Sequence, residues 1–134
     1  MGYTAPIEYV YFIKAGEFVK IGRTTKGIGN RIEHMQTANA HVLHCPMYIK
    51  IYVHSYYCSI GERVERLVHT ICKDSHVRGE WYHYHDAMLA VYQNIGVIRR
   101  YIEGNRSIRT YKIGINGDHE NATSYQVNSM EEVI

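Results

Sequence analysis

Two runs of β-branched and aromatic residues, Tyr9–Lys14 (YVYFIK) and Phe18–Gly22 (FVKIG), are separated only by Ala15, Gly16 and Glu17. A three-residue connection with a glycine free to take positive φ closes a β-hairpin, and the rest of the chain must build on that sheet. Strand alternation puts Tyr9 and Tyr11 on one face of the first strand and Val10 and Phe12 on the other. Lys20 and Gly22 share a face of the second strand, and Gly22 leaves space there for a backbone or a ligand.

Further elements follow from pattern. The loop TTKGIG after Arg23 carries two glycines, and Asn30 then caps a short helix through Arg31, Ile32 and Met35. Met47–His54 alternates as a third strand. Ser59 and Glu62 have capping-box spacing ahead of an apolar stripe through Ile60, Val64, Leu67, Val68 and Ile71. Glu80–Tyr84 reads as a short aromatic strand, and Asp86 as the cap of a helix running to Ile95 and, past Gly96, to Ile102. Ser107–Ile115 is an added strand. The order β-β-α-β-α-β-α predicts an α+β single domain: a small, mostly antiparallel three- to four-stranded sheet flanked by helices. Residues 1–103 form that domain, 104–115 a basic extension, and 116–134 an acidic, flexible tail.

At 134 residues, 46% hydrophobic and 21% charged, the chain suits one buried core and is not a disordered polymer. Its lack of long apolar runs excludes a membrane helix, and Met1–Thr4 has no signal-peptide pattern; the expectation is a cytoplasmic protein, in the host cytoplasm if phage- or virus-encoded. Cys45, Cys58 and Cys72 form no CxxC pair, which argues against a disulfide framework. Together with His69, His76, His83 and His85 they have spacings unlike those of zinc modules. The net charge of +2 conceals asymmetry. Lys14, Lys20, Arg23, Lys26 and Arg31 face only Glu17 in their segment, and Arg99, Arg100, Arg106, Arg109 and Lys112 only Glu103. Two basic segments suit a phosphate-rich partner.

The hairpin and its exit loop bring candidate chemistry together. Tyr11, Lys20, Arg23 and Arg31 can converge on one anion. Glu65 lies at the margin of the helical stripe with His69 one turn on. A carboxylate at the edge of a core, facing several cations, is what a divalent metal bound to phosphate needs.

These residues also carry a resemblance. YVY at Tyr9–Tyr11, KIGRT at Lys20–Thr24, Arg31, Glu65-x-x-x-His69 and GEWY at Gly79–Tyr82 resemble, in order, the motifs of the GIY-YIG endonuclease superfamily. The likeness is to its phage and viral branch, whose second motif commonly reads KIGxT. The resemblance implies a metal-dependent DNA endonuclease that leaves 5′-phosphate and 3′-hydroxyl ends. It implies Tyr11 as general base, Arg23 as a basic position after the second motif, Arg31 as the contact to the scissile phosphate, and Glu65 as the ligand of Mg²⁺ or Mn²⁺. Tyr9, His69 and His34 would support them, with Lys26 adding DNA contact; outside the motifs, Arg99, Arg100, Arg106 and Arg109 either extend the DNA track or form an oligomer contact. A free tyrosine has a pKa of about 10, so the cations would have to lower that of Tyr11. Tyr9 stands where the name-giving glycine sits and Lys20 where the tyrosine sits. Lys20 either takes over phosphate contact or marks loss of cutting. The alternative function is therefore a non-catalytic DNA-binding or host-factor-binding module. The expected partner is DNA, with RNA left open, and the expected assembly a monomer or homodimer.

Overall fold

Val10, Phe12, Val19 and Ile21 are fully buried on one side of the hairpin, and Tyr11 and Ile13 are equally buried on the other. The hairpin thus lies inside the molecule, covered on both faces. In the computed structural model, which describes residues 6–37, 41–55, 59–115 and 123–126, strands β1 (Ile7–Ala15) and β2 (Phe18–Thr24) pair antiparallel with Tyr11 opposite Gly22. Gly16, at φ +61°, makes the turn.

Helix α1 (Ile28–Gln36), strand β3 (His44–Val53) and helix α2 (Ile60–Ile71) come next. After a 3₁₀ turn (Lys73–Ser75) come β4 (His76–Arg78), β5 (Trp81–His83), α3 (Tyr84–Gln93), α4 (Ile95–Glu103), β6 (Ile108–Ile115) and β7 (Thr123–Gln126). Among the described residues the sheet has seven strands in the order β4-β5-β2-β1-β3-β6-β7, with every pair antiparallel. The fold is α+β as expected, but the sheet is larger than three or four strands. Of the strands beyond that count, β6 is the one expected at Ser107–Ile115; β4, whose three residues are all exposed and carry no apolar pattern, and β7 are new.

Helices α2, α3 and α4 pack on one face through Ile60, Val64, Val68, Met88, Val91 and Ile98. Helix α1 covers part of the other face, where Ile28 and Ile32 meet Tyr11, Ile13 and Ala15. Residues 108–115 are integral to the sheet, since Tyr111 and Ile113 belong to the main core. Within the stretch expected to be a tail, Thr123–Gln126 pairs with β6; residues 116–122 and 127–134 lie outside the described residues.

Helix boundaries differ from expectation for local reasons. Helix α1 begins after Gly27, because buried Ile28 is already helical, and Asn30 falls inside the first turn. Ser59 makes no side-chain cap bond; Glu62 instead accepts from Arg66 at 2.9 Å. Helix α3 starts at Tyr84, with Asp86 in its first turn. The break toward α4 falls at Asn94 rather than Gly96: the Asn94 amide donates to the Ala90 carbonyl at 2.8 Å, a local bond that competes with helix continuation. No helix among the described residues is long and apolar enough to cross a membrane.

Candidate active site

Strand β5 pairs with β2 only as far as Lys20 opposite Trp81. Beyond it the Ile21 amide donates to the Glu80 carbonyl at 2.9 Å, and Gly22–Thr24 continue past the end of β5. A notch at the sheet margin results, and side chains from both faces meet there.

From the α1 face comes Tyr11, 1% exposed, whose hydroxyl accepts from Arg31 Nε at 3.3 Å. The space left by Gly22 is filled by this phenol: a Cβ on Gly22 would overlap Tyr11 Oη and Cζ. Gly22→Ala should therefore cost about 1–3 kcal/mol as overpacking and push the hydroxyl off Arg31. Urea denaturation checks this; an unchanged midpoint would mean that the phenol does not lie over Gly22. Around Arg31, a polar groove is lined by Thr24, Lys26, Asn30 and His34, so Lys26 and His34 join the cluster. Tyr9 lies two residues from Tyr11 on the same face, 6.2 Å edge-on from Tyr48.

From the α2 face comes Glu65. Its Oε2 lies 3.7 Å from His69 Nε2, and its Oε1 lies 3.9 Å from Arg23 Nε. His69 Nε2 is 2.9 Å from the Ile21 carbonyl, which can only accept, so that nitrogen carries the proton. Arg23 does not converge with Arg31. It sits opposite Val10, on the face away from Tyr11, and its guanidinium is also 3.5 Å from Glu8 Oε1. Strand parity already implied this, because Arg23 directly follows Gly22. Glu8 escaped sequence reading: it is 6% exposed and lies against Gly61, where a Cβ would strike its carboxylate.

Glu80 links the two halves. Ligand atoms of Glu65, His69 and Glu80 all lie within 4.8 Å of one another. Lys20 Nζ, from the α1 face, is 3.9 Å from Glu80 Oε1. Sequence reading placed Glu80 in the GEWY motif without assigning it chemistry; the available signal was an acid directly after Gly79, which turns the β4–β5 hairpin at φ +56°. Burial, then the hydrogen bond and charge of Glu80, push the Glu65 carboxyl up to about 7, against the pull of Arg23. Two adjoining carboxyls, one of them held above the usual carboxylate range, are a strong donor set for a hard divalent cation. Tyr11 departs from expectation. Burial raises its pKa above the usual value, Arg31 only partly offsets this, and Glu80 and Glu65 raise it further.

Arg99, Arg100, Arg106 and Arg109 are not brought into this cluster. They stand on α4, the loop after it and β6, and β6 is separated from β2 by β3 and β1. Arg99 Nε is 3.7 Å from Glu103 Oε2, which also accepts from the Tyr111 hydroxyl at 2.6 Å. Cys45 and Cys72 are buried, and burial pushes both thiols up to about 12, so neither is a ready metal ligand or nucleophile. Cys58 lies outside the described residues.

The site thus belongs to an α+β domain that joins a tyrosine–arginine pair to an acidic pair across a strand end. The chain belongs to the T5orf172 domain family, whose model matches residues 8–103, a family associated with nuclease-like proteins of phages. No curated protein and no solved structure gives a significant match.

Proposed function

We propose that the protein is a metal-dependent endonuclease of the GIY-YIG type that hydrolyses phosphodiester bonds in DNA. The observation that carries this reading is the meeting of Glu65 and Glu80 with the Tyr11–Arg31 pair around Gly22. A pure binder has no use for two adjoining carboxylates beside its phosphate contacts.

Glu65 and Glu80 fit Mg²⁺ or Mn²⁺, with the remaining positions for water and phosphate oxygens. Bound there, the ion would neutralise charge developing on the phosphate and cancel the upward push of the carboxylates on Tyr11. His69 flanks Glu65 at 3.7 Å, and its Nε2–H is donated to the Ile21 carbonyl, so that nitrogen is not free to bind the ion. Arg23 likewise positions Glu65 and Glu8 rather than gripping substrate. Arg31 binds the scissile phosphate and favours the phenolate form of Tyr11, which takes the proton of the attacking water. As the water oxygen bonds to phosphorus, the bond to O3′ breaks and O3′ takes up a proton from solvent, leaving a 5′-phosphate and a 3′-hydroxyl.

A second reading, a non-catalytic DNA-binding or host-factor-binding module, is favoured by one contact. Lys20 holds its charge 3.9 Å from Glu80, where it can satisfy that carboxylate without a metal. Product chemistry decides between the two. Incubation of an end-labelled strand with Mn²⁺ should yield fragments that a ligase rejoins without prior phosphorylation. Intact strands, or fragments carrying 3′-phosphates, would reject the mechanism.

A further inference from the structure

Helix α1 covers the half of its sheet face around Ile13 and Ala15. The other half is formed by the start of β1, the end of β3 and the start of β6, and it carries an unusual set of side chains. Strand register places Tyr9 opposite Lys50, Tyr11 opposite Tyr48, and Lys50 opposite Lys112, so Tyr9, Tyr48, Lys50, Tyr52 and Lys112 all point the same way. All five are half-buried. The Tyr48 ring lies over Gly114, where a Cβ would overlap it. Lys50 Nζ sits 5.7 Å from the centre of the Tyr9 ring and 5.1 Å from that of Tyr52. From Ile7 to Tyr11, Tyr48 to Tyr52 and Thr110 to Gly114, no Asp or Glu points to this face: Glu8, the one acid in these stretches, points to the other.

We infer that this aromatic and basic half-face is a track for unpaired DNA, which holds the strand two to three nucleotides beyond the bond cut at Tyr11. The inference rests on the proposed nuclease reading and names its substrate as single-stranded. Three features carry it. Rings lying on a sheet beside lysines offer stacking and phosphate contact together, the combination that binds single strands. A duplex hides its base faces and cannot use the rings. The surface is also continuous with the site, since Tyr9 and Tyr11 are alternate residues of one strand on one face. Three adjacent strands span about 10 Å, and sheets of this kind stack two or three bases.

The test is fluorescence anisotropy of a labelled 12-nucleotide oligo(dT) and of a 12-base-pair duplex, both in EDTA so that no cleavage intervenes. The whole chain should bind the single strand more tightly. Tyr52→Ala should weaken that binding about 5- to 100-fold, and Tyr52→Phe, which keeps the ring, should restore it. Lys50→Gln and Lys112→Gln should each reduce the slope of log affinity against log salt by about 0.7. Duplex binding at least as tight as single-strand binding overturns the proposal, as does a Tyr52→Phe variant that fails like Tyr52→Ala. The Glu65→Gln protein separates the two readings. If it binds like wild type and wild type does not cut, the nuclease reading fails alone. If wild type cuts but its binding ignores Tyr52, the track fails alone.

Discussion

If Tyr11 is the general base proposed above, Tyr11→Phe should lower strand cleavage by about 10²- to 10⁴-fold, the usual range for removing such a group, and should leave DNA affinity in EDTA unchanged. The change deletes one oxygen from a ring that is 1% exposed and packed with Ile13, Ile28 and Ile32, so the core is preserved. Arg31 Nε loses its 3.3 Å partner at a half-buried position, which costs roughly 1 kcal/mol. Because burial holds the phenol above its ordinary value, the wild-type rate should climb with pH as the phenolate fraction grows. The variant should show no such rise. Single-turnover rates across pH check both statements. A variant that cuts at the wild-type rate would mean that another group takes the proton.

Glu65→Gln should reduce cleavage by about a thousandfold, because a bound divalent ion supplies several kcal/mol of transition-state stabilisation. The same change should abolish Mn²⁺ binding in calorimetry. It should also alter how stability depends on pH. Folding raises Glu65 from 4.5 to about 7, so the folded protein keeps this proton to higher pH than the unfolded chain. The metal-free protein therefore holds this contribution in full below about pH 4.5 and loses it as pH rises through about 7. The loss is of the order of 3 kcal/mol, visible in urea titrations; the Glu65→Gln substitution should remove it and Mn²⁺ should offset it. A wild-type profile that is flat between those pH values, with EDTA present, would show that burial and Glu80 do not hold the Glu65 carboxyl above its ordinary range.

The hairpin was legible because alternation and a glycine turn act between neighbours in the chain. Tyr11, Gly22 and Arg31 could be read from it, and parity could have separated Arg23 from Arg31. Glu80 was hidden because its role depends on where β5 stops against β2, a tertiary fact. Glu8 was hidden because its partners, Arg23 and Gly61, lie on two other elements. Strands β4 and β7 join the sheet through pairings that no local pattern announces; β6 was expected as a strand at Ser107–Ile115, but its place beside β3 was not. The pKa of Tyr11 could not be read from nearby cations alone, since burial outweighs them.

The most direct test is incubation of the whole chain with supercoiled plasmid and with single-stranded DNA, in Mg²⁺, in Mn²⁺ and in EDTA. Cutting is expected with either metal, none in EDTA, and the faster reaction on the single strand. Salt-sensitive binding with no cutting in any condition would contradict it and leave a binding module built on the same site.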